Sequence, residues 1–373
     1  MKIGIVTFYY GSNYGAILQA FALKTYLEQK GHSVFFINSV YTRRNKFTFF
    51  LLLCSHSLRV VRNKIQHNHA IDTFRPVLDG LRDTKMRYTN AGMLKENYPV
   101  ADAYVVGSDQ MWNPMWCMEH ADLLFLNFGD KQTKRVAYAV SLGCTRWPEK
   151  TRQHVGELLS QFDAISVREE RACNLVAEMS GKSVSWLADP TLLIDISLFP
   201  REHEVCAQME SNKAYVFEYF LGETNQNFHR YSCFVKQELQ ADKVVTDADL
   251  SSSLLCRLLA LRFKIPIDAW IARISGARVV VTNSFHATIF SIINHRPFLA
   301  VLRNADHAGM NERIIVLLRR LGLEKYIIAR YDESNIRKAL SAHAQIDWKR
   351  VDDAIKAWRC ETDAFFSNVF RSG

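Results

Sequence analysis

Apolar residues recur along the chain in two alternating rhythms. Short, mostly apolar and β-branched runs at 2–8, 34–37, 103–106, 135–141 and 164–167 lack a regular polar face, as expected of strands buried on both sides of a parallel sheet. Between them, residues 16–29 and 168–179 carry apolar positions at helical spacing, the first stopped by Gly31. Residues 186–193 close the series, with Asp189-Pro190 read as the turn that ends a strand. Strand, loop, helix and strand in this order predict right-handed crossovers and a doubly wound sheet.

Residues 195–212 are polar, contain Pro200 and show no clear period, so they read as a linker. A second series follows, with strands at 214–220, 243–246, 279–281 and 297–302 and helices at 268–275, 311–321 and 348–366. A chain of 373 residues exceeds what one hydrophobic core usually serves. The economical architecture is α/β, two Rossmann-like domains facing a cleft. Residues 1–195 form the first, interrupted by an insertion at 41–70, residues 213–345 the second, and 346–373 a C-terminal helix.

The segment VVVTNSFHATIFSII, starting at Val279, places His286 at a strand-to-helix junction after the polar turn Thr282-Asn283-Ser284. In an open parallel sheet that edge, outside the carboxyl ends of the strands, is where ligands bind. A histidine at a helix start also serves simply as a capping or packing residue, and the local sequence leaves both roles open.

Charge narrows the partners. A net charge of +9 and an isoelectric point near 9.1 favour an anionic partner, yet no nucleic-acid-binding module is recognisable. Eight single cysteines, with no CxxC pair, suit reduced thiols in a cytosol and argue against zinc. No secretion signal is evident, and the longest strongly apolar run, 47–54, is far shorter than the roughly 20 residues of a spanning helix. A cytoplasmic protein, soluble or peripheral on the inner face of the membrane, is expected. Between Gln29 and Ile71 there is no acidic residue, while Arg43, Arg44, Lys46, Arg59, Arg62 and Lys64 flank the apolar Phe47–Leu53 stretch. Residues 41–64 therefore suit contact with an anionic membrane or a lipid-linked substrate, or else a core helix with a solvated basic face.

Seven blocks in order resemble the polysaccharide pyruvyl transferase family: NYGAILQAFAL, VVGSDQMWNP, RVAYAVSLG, FDAISVREE, LADPTLLI, VVTNSFHATIFSI and MNERIIVLLRRLGL. The resemblance implies a fold like that of type-B glycosyltransferases. It also implies transfer of the carboxyvinyl group of phosphoenolpyruvate to a sugar of a bacterial-type polysaccharide, or its lipid-linked precursor, as a pyruvate ketal. Phosphate is released, and neither cofactor nor metal is called for.

His286 matches the family histidine, as general acid or as ligand of the phosphate. Many members carry an arginine two residues earlier, where this chain has Ser284. Ser284 and Asn283 can donate hydrogen bonds to an anion but bring no charge. Arg303 and Arg313 on the same edge are candidates to supply it, ordinary surface arginines being the plainer reading. Arg168 matches the arginine ending the ISVR strand, where it faces the cleft beside a helix N-terminus and suits donor binding. Glu169 and Glu170 then place favourable charge in a first helical turn. Asn13 and Asp109 match recurring positions, Asn13 to orient substrate and Asp109 as base for a sugar hydroxyl, though both residue types also cap turns and helices. Trp112 and Trp116 suit buried packing more than sugar stacking. Two functions compete: a nucleotide-sugar-dependent glycosyltransferase, disfavoured because no acid or glycine lies between His286 and Asn304, and a non-catalytic scaffold of polysaccharide assembly.

Overall fold

The computed structural model describes residues 1–9, 13–38, 58–81, 84, 86–88, 90–200, 214–222, 226–250, 262–303 and 308–371. In the first domain, β1 (Lys2–Val6), β2 (Ser33–Phe36), β3 (Ala103–Gly107), β4 (Lys134–Val140), β5 (Ala164–Val167) and β6 (Val184–Trp186) pair in parallel in the order β2-β1-β3-β4-β5-β6. All five residues of β3 are buried, because helices cover both faces of the sheet.

The second domain carries β7 (Tyr215–Tyr219) and β8 (Lys243–Val245), then an antiparallel pair, β9 (Ala248–Leu250) and β10 (Arg262–Lys264). Next come β11 (Val279–Thr282), β12 (Phe298–Val301) and β13 (Ile327–Ile328). Its main sheet runs β13-β12-β11-β7-β8, again parallel. In each sheet the first strand lies between the second and the third, so the order reverses between β1 and β3 and between β7 and β11. Such switch points open crevices at the carboxyl ends of the strands.

The face of the first sheet that includes Ile3, Ile5, Val105, Val136 and Tyr138 shares one apolar core with the second domain; the face that includes Tyr104, Val106, Ala137 and Ile165 packs a separate one. The helix Tyr14–Gln29 lies in the shared core and is buried over most of its circumference. Its Tyr14 stacks on Trp270 of the second domain, with ring centroids 5.0 Å apart, and donates to Ile265 O at 2.8 Å.

Part of the insertion is helical. Leu58–Asp79 is a helix that buries Ala70, Phe74 and Leu78 at successive four-residue steps, with Phe74 4.8 Å from the Tyr14 ring. Residues 39–57, which include the apolar stretch and most of the segment read as membrane-contacting, lie outside the described residues. Among the described residues no helix is long and apolar enough to cross a membrane. The last helix, Trp348–Phe370, returns to the first domain. There Asp363 accepts from Tyr26 at 2.6 Å and pairs with Lys30 at 2.7 Å, while Phe366 packs 4.8 Å from Tyr138.

Candidate active site

Arg168 leaves the carboxyl end of β5 two residues before the helix Glu170–Ser180 begins. Its Nη1 donates to Asp189 Oδ2 at 2.8 Å and to Ser108 Oγ at 3.4 Å. Its Nε and Nη2 are buried without a hydrogen bond among the described residues, Nη2 standing 3.7 Å from Asp109 Oδ1. Those two nitrogens form the guanidinium edge whose parallel N–H groups receive an oxyanion side-on. Glu169, at the N-cap, is turned inward, accepting from Ser141 Oγ and from Leu142 N at 3.3 Å.

Asp189 forms the expected turn and does more. Its Oδ1 caps the 3-10 turn Pro190–Leu192, accepting from Thr191 N at 3.0 Å and Thr191 Oγ1 at 2.7 Å. Its Oδ2 accepts from Arg168 and, at 3.0 Å, from Ser108 Oγ. Burial pushes this carboxyl upward, but His286, Arg168 and Thr191 outweigh it and hold the group well below the usual carboxylate range. The sequence reading treated Asp189 as a turn residue only. The available signal was its place in an ordered block, directly after a strand, at the edge that carries Arg168.

His286 comes from the second domain, in the first turn of the helix Phe285–Ile293. Ser284 caps that helix, accepting from Ala287 N at 3.4 Å, while its own N–H donates to Thr282 Oγ1 at 3.0 Å. The Nε2 of His286 stands 3.6 Å from Asp189 Oδ2, within ion-pair reach but too long for a hydrogen bond, and it has no hydrogen-bond partner among the described residues. On its other side the ring lies against Gly15, where a Cβ would fall 2.1 Å from Nδ1. Asn13 shapes that contact as N-cap of the helix Tyr14–Gln29, accepting from Gly15 N at 3.0 Å and Ala16 N at 3.4 Å.

Arg313, on the helix Ala308–Arg320, is a buried residue rather than a surface one. The Phe285 ring packs against two guanidinium groups, with Arg168 Cζ 4.6 Å and Arg313 Cζ 5.7 Å from its centroid. The Nη1 and Nη2 of Arg313 lie 3.3 Å and 3.2 Å from the Gln110 side-chain amide, while Nε is buried with no partner. Burial, followed by the nearby Arg168 charge, pushes Arg313 down to about 10, so it stays cationic at neutral pH. Arg168, Asp189, His286 and Arg313 are 3%, 1%, 7% and 8% exposed, which places them in low-dielectric surroundings where charges act strongly. The domains also meet at Gly309, where a Cβ would fall 2.6 Å from Gly143 O.

The other expected residues serve the backbone. Asn283 accepts from Leu221 N at 2.7 Å and donates to Leu221 O at 3.0 Å, tying the end of β11 to the end of β7. Arg303 is joined through its backbone N–H and carbonyl to the Asn311 side chain, at 2.9 Å each, and its Nη1 contacts Met310 Sδ at 3.4 Å. Asp109 holds a left-handed backbone at φ 63°. Only a few non-glycine types, aspartate among them, adopt that conformation readily. Trp112 is fully buried against Phe125. Burial pushes the thiols of Cys144 and Cys173 up to about 11, so neither is a thiolate nucleophile near neutrality.

A family model described as polysaccharide pyruvyl transferase matches residues 13–305, the span that carries Asn13, Asp109, Arg168, Asp189 and His286. The chain belongs to the polysaccharide pyruvyl transferase family. It is accordingly a transferase. No curated protein is significantly similar to it in sequence. Its fold is that of UDP-GlcNAc 2-epimerases. The Methanocaldococcus jannaschii enzyme is 12% identical, with a TM-score of 0.51 over 97% of this chain and 100% of that one. Staphylococcus aureus MnaA, in a structure with UDP, is 13% identical, with a TM-score of 0.52 over 100% and 98%. The Neisseria meningitidis epimerase bound to UDP-GlcNAc is 10% identical, with a TM-score of 0.50 over 99% and 100%. These likenesses establish a type-B glycosyltransferase-like architecture for this pyruvyl transferase family member, with its buried arginines and His286 where the two domains meet.

Proposed function

We propose that the protein transfers the carboxyvinyl group of phosphoenolpyruvate to two hydroxyls of a sugar, forming a pyruvate ketal. The observation that carries this reading is a set of buried cationic donors that lack a hydrogen bond among the described residues, Nε and Nη2 of Arg168 and Nε of Arg313, on guanidinium groups gathered around Phe285, the neighbour of His286. Buried N–H donors left without a hydrogen bond are costly to keep, and so is the Arg313 charge, which has no carboxylate within ion-pair distance among the described residues; a compact dianion offsets both costs in a way that a neutral ligand does not. Arg313 supplies the charge that Ser284 lacks. Arg168 takes the carboxylate or phosphate side-on, and Arg313 neutralises the remainder.

In the reaction, C3 of the donor takes a proton from His286, positive charge develops at C2, and the first sugar hydroxyl adds there. A second hydroxyl then displaces phosphate, so one C–O bond to phosphate breaks as two C–O bonds to sugar form. Asp109, more accessible than the buried quartet and 3.7 Å from Arg168 Nη2, is placed to take a proton from an incoming hydroxyl. Asn13, Asn283 and Ser284 act by shaping the turns, and Arg303 adds positive potential from the second domain. The acceptor is a sugar of a polysaccharide or of its lipid-linked precursor, met at the cytoplasmic side of the membrane. The UDP compounds named for the structural relatives belong to those proteins; a nucleotide would need a ribose-binding acid, which the stretch from His286 to Asn304 lacks.

The test is phosphate release from phosphoenolpyruvate by the full chain with and without candidate sugar acceptors. Release that depends on acceptor and is lost in His286→Ala supports the proposal. Release that is acceptor-independent, or unchanged in that variant, overturns it.

A further inference from the structure

Asp189 stands at the meeting point of the two domains. Its carboxylate belongs to the first domain, receives Arg168 Nη1 at 2.8 Å and Ser108 Oγ at 3.0 Å, and faces His286 Nε2 of the second domain at 3.6 Å. Among the described residues no other acid lies within ion-pair distance of His286. Four donors already engage the carboxylate, two of them from Thr191, which fixes its plane. At 1% exposure it has no room to swing away.

We propose that Asp189 is a positioning residue for the reaction: it holds the guanidinium of Arg168 and the ring of His286 in one fixed relation across the domain boundary. By occupying Nη1 it turns the Nε/Nη2 edge of Arg168 toward the donor. By facing Nε2 at 3.6 Å it sets the angle at which His286 presents itself. The inference rests on the roles given to Arg168 and His286 above, and it makes Asp189 a group that never touches substrate.

Asp189→Asn separates this from a purely structural role. The amide oxygen can still accept from Arg168, while the attraction for the His286 ring is lost, and removal of a negative charge does not weaken an anion site. The expected result is a kcat lower by about 100-fold, with the dissociation constant for phosphoenolpyruvate unchanged or tighter. A readout independent of the donor comes from the full chain labelled with 15N at histidine, in which the His286 ring signals are identified by their loss in His286→Gln. Asp189→Asn is expected to move those signals and leave the ring of buried His343 in place. Unmoved His286 signals, or parallel losses of kcat, donor affinity and thermal stability, would overturn the inference. Failure of the wild-type chain to bind phosphoenolpyruvate instead overturns the proposed donor, and the His286 ring shift still reports the Asp189 contact.

Discussion

His286 fills the space that a side chain at position 15 would need: a Cβ on Gly15 would stand 2.1 Å from Nδ1 and 2.5 Å from Cγ of that ring. The two residues sit in the first turns of helices from different domains, Tyr14–Gln29 and Phe285–Ile293. How closely the domains meet at the site is therefore set by the missing side chain.

Gly15→Ala should displace the imidazole without unfolding the chain, because the helix Tyr14–Gln29 gains a better helix former at that position. A displacement of about 1 Å at a reacting group costs on the order of 100-fold in rate. Steady-state kinetics beside far-ultraviolet circular dichroism checks this. An active Gly15→Ala enzyme would mean that the His286 position is not critical.

Arg168→Lys keeps the charge and loses the parallel N–H edge. Donor affinity should fall by about tenfold or more, roughly 1.4 kcal/mol, measurable by calorimetric titration with phosphoenolpyruvate. Unchanged affinity would assign the donor to other groups.

Arg313 is held in the protein interior at a cost, with an amide and no carboxylate against its Nη atoms. Replacing it by Met should therefore raise the melting temperature of the ligand-free protein, by about 1 kcal/mol or more in stability, while weakening donor binding. Lower stability with unchanged binding would show a structural arginine.

The depressed Asp189 carboxyl has a definite sign in the pH dependence of stability. A group whose folded value lies below its unfolded value of about 3.9 contributes stability above that pH and loses it as pH falls through the folded value. Urea midpoints of wild type and Asp189→Asn should differ by their full amount above about pH 4 and converge in stronger acid. A gap that persists undiminished in strong acid would count against the assignment.

Much of this was legible in the chain because parallel strands buried on both faces leave unbroken apolar runs; the strand at 164–167 was read at its observed bounds. The edge bearing Arg168 and His286 followed from the same pattern. Asp189 was read as half of a turn because its hydrogen bonds to Thr191 do make one. Its second set of contacts is long-range in sequence, with Ser108 far before it and His286 far after it in the chain, and no local period encodes that. The helix Leu58–Asp79 entered only as the alternative of a core helix for 41–64: its buried Ala70, Phe74 and Leu78 lie beyond that stretch, and Pro76 among them reads as a helix breaker. Arg313 stood open between a site residue and a surface arginine because nothing in its neighbourhood reveals that it packs against Phe285 and Gln110.

A compact anionic donor that sits among the buried arginines at the domain boundary must bind through both of them. Equilibrium titration of the full chain with phosphoenolpyruvate, in wild type and in the double variant Arg168→Met/Arg313→Met, tests it most directly. The account predicts one site per chain in the wild type and loss of binding in the double variant. Absent binding in the wild type, or equal binding in both proteins, would contradict it.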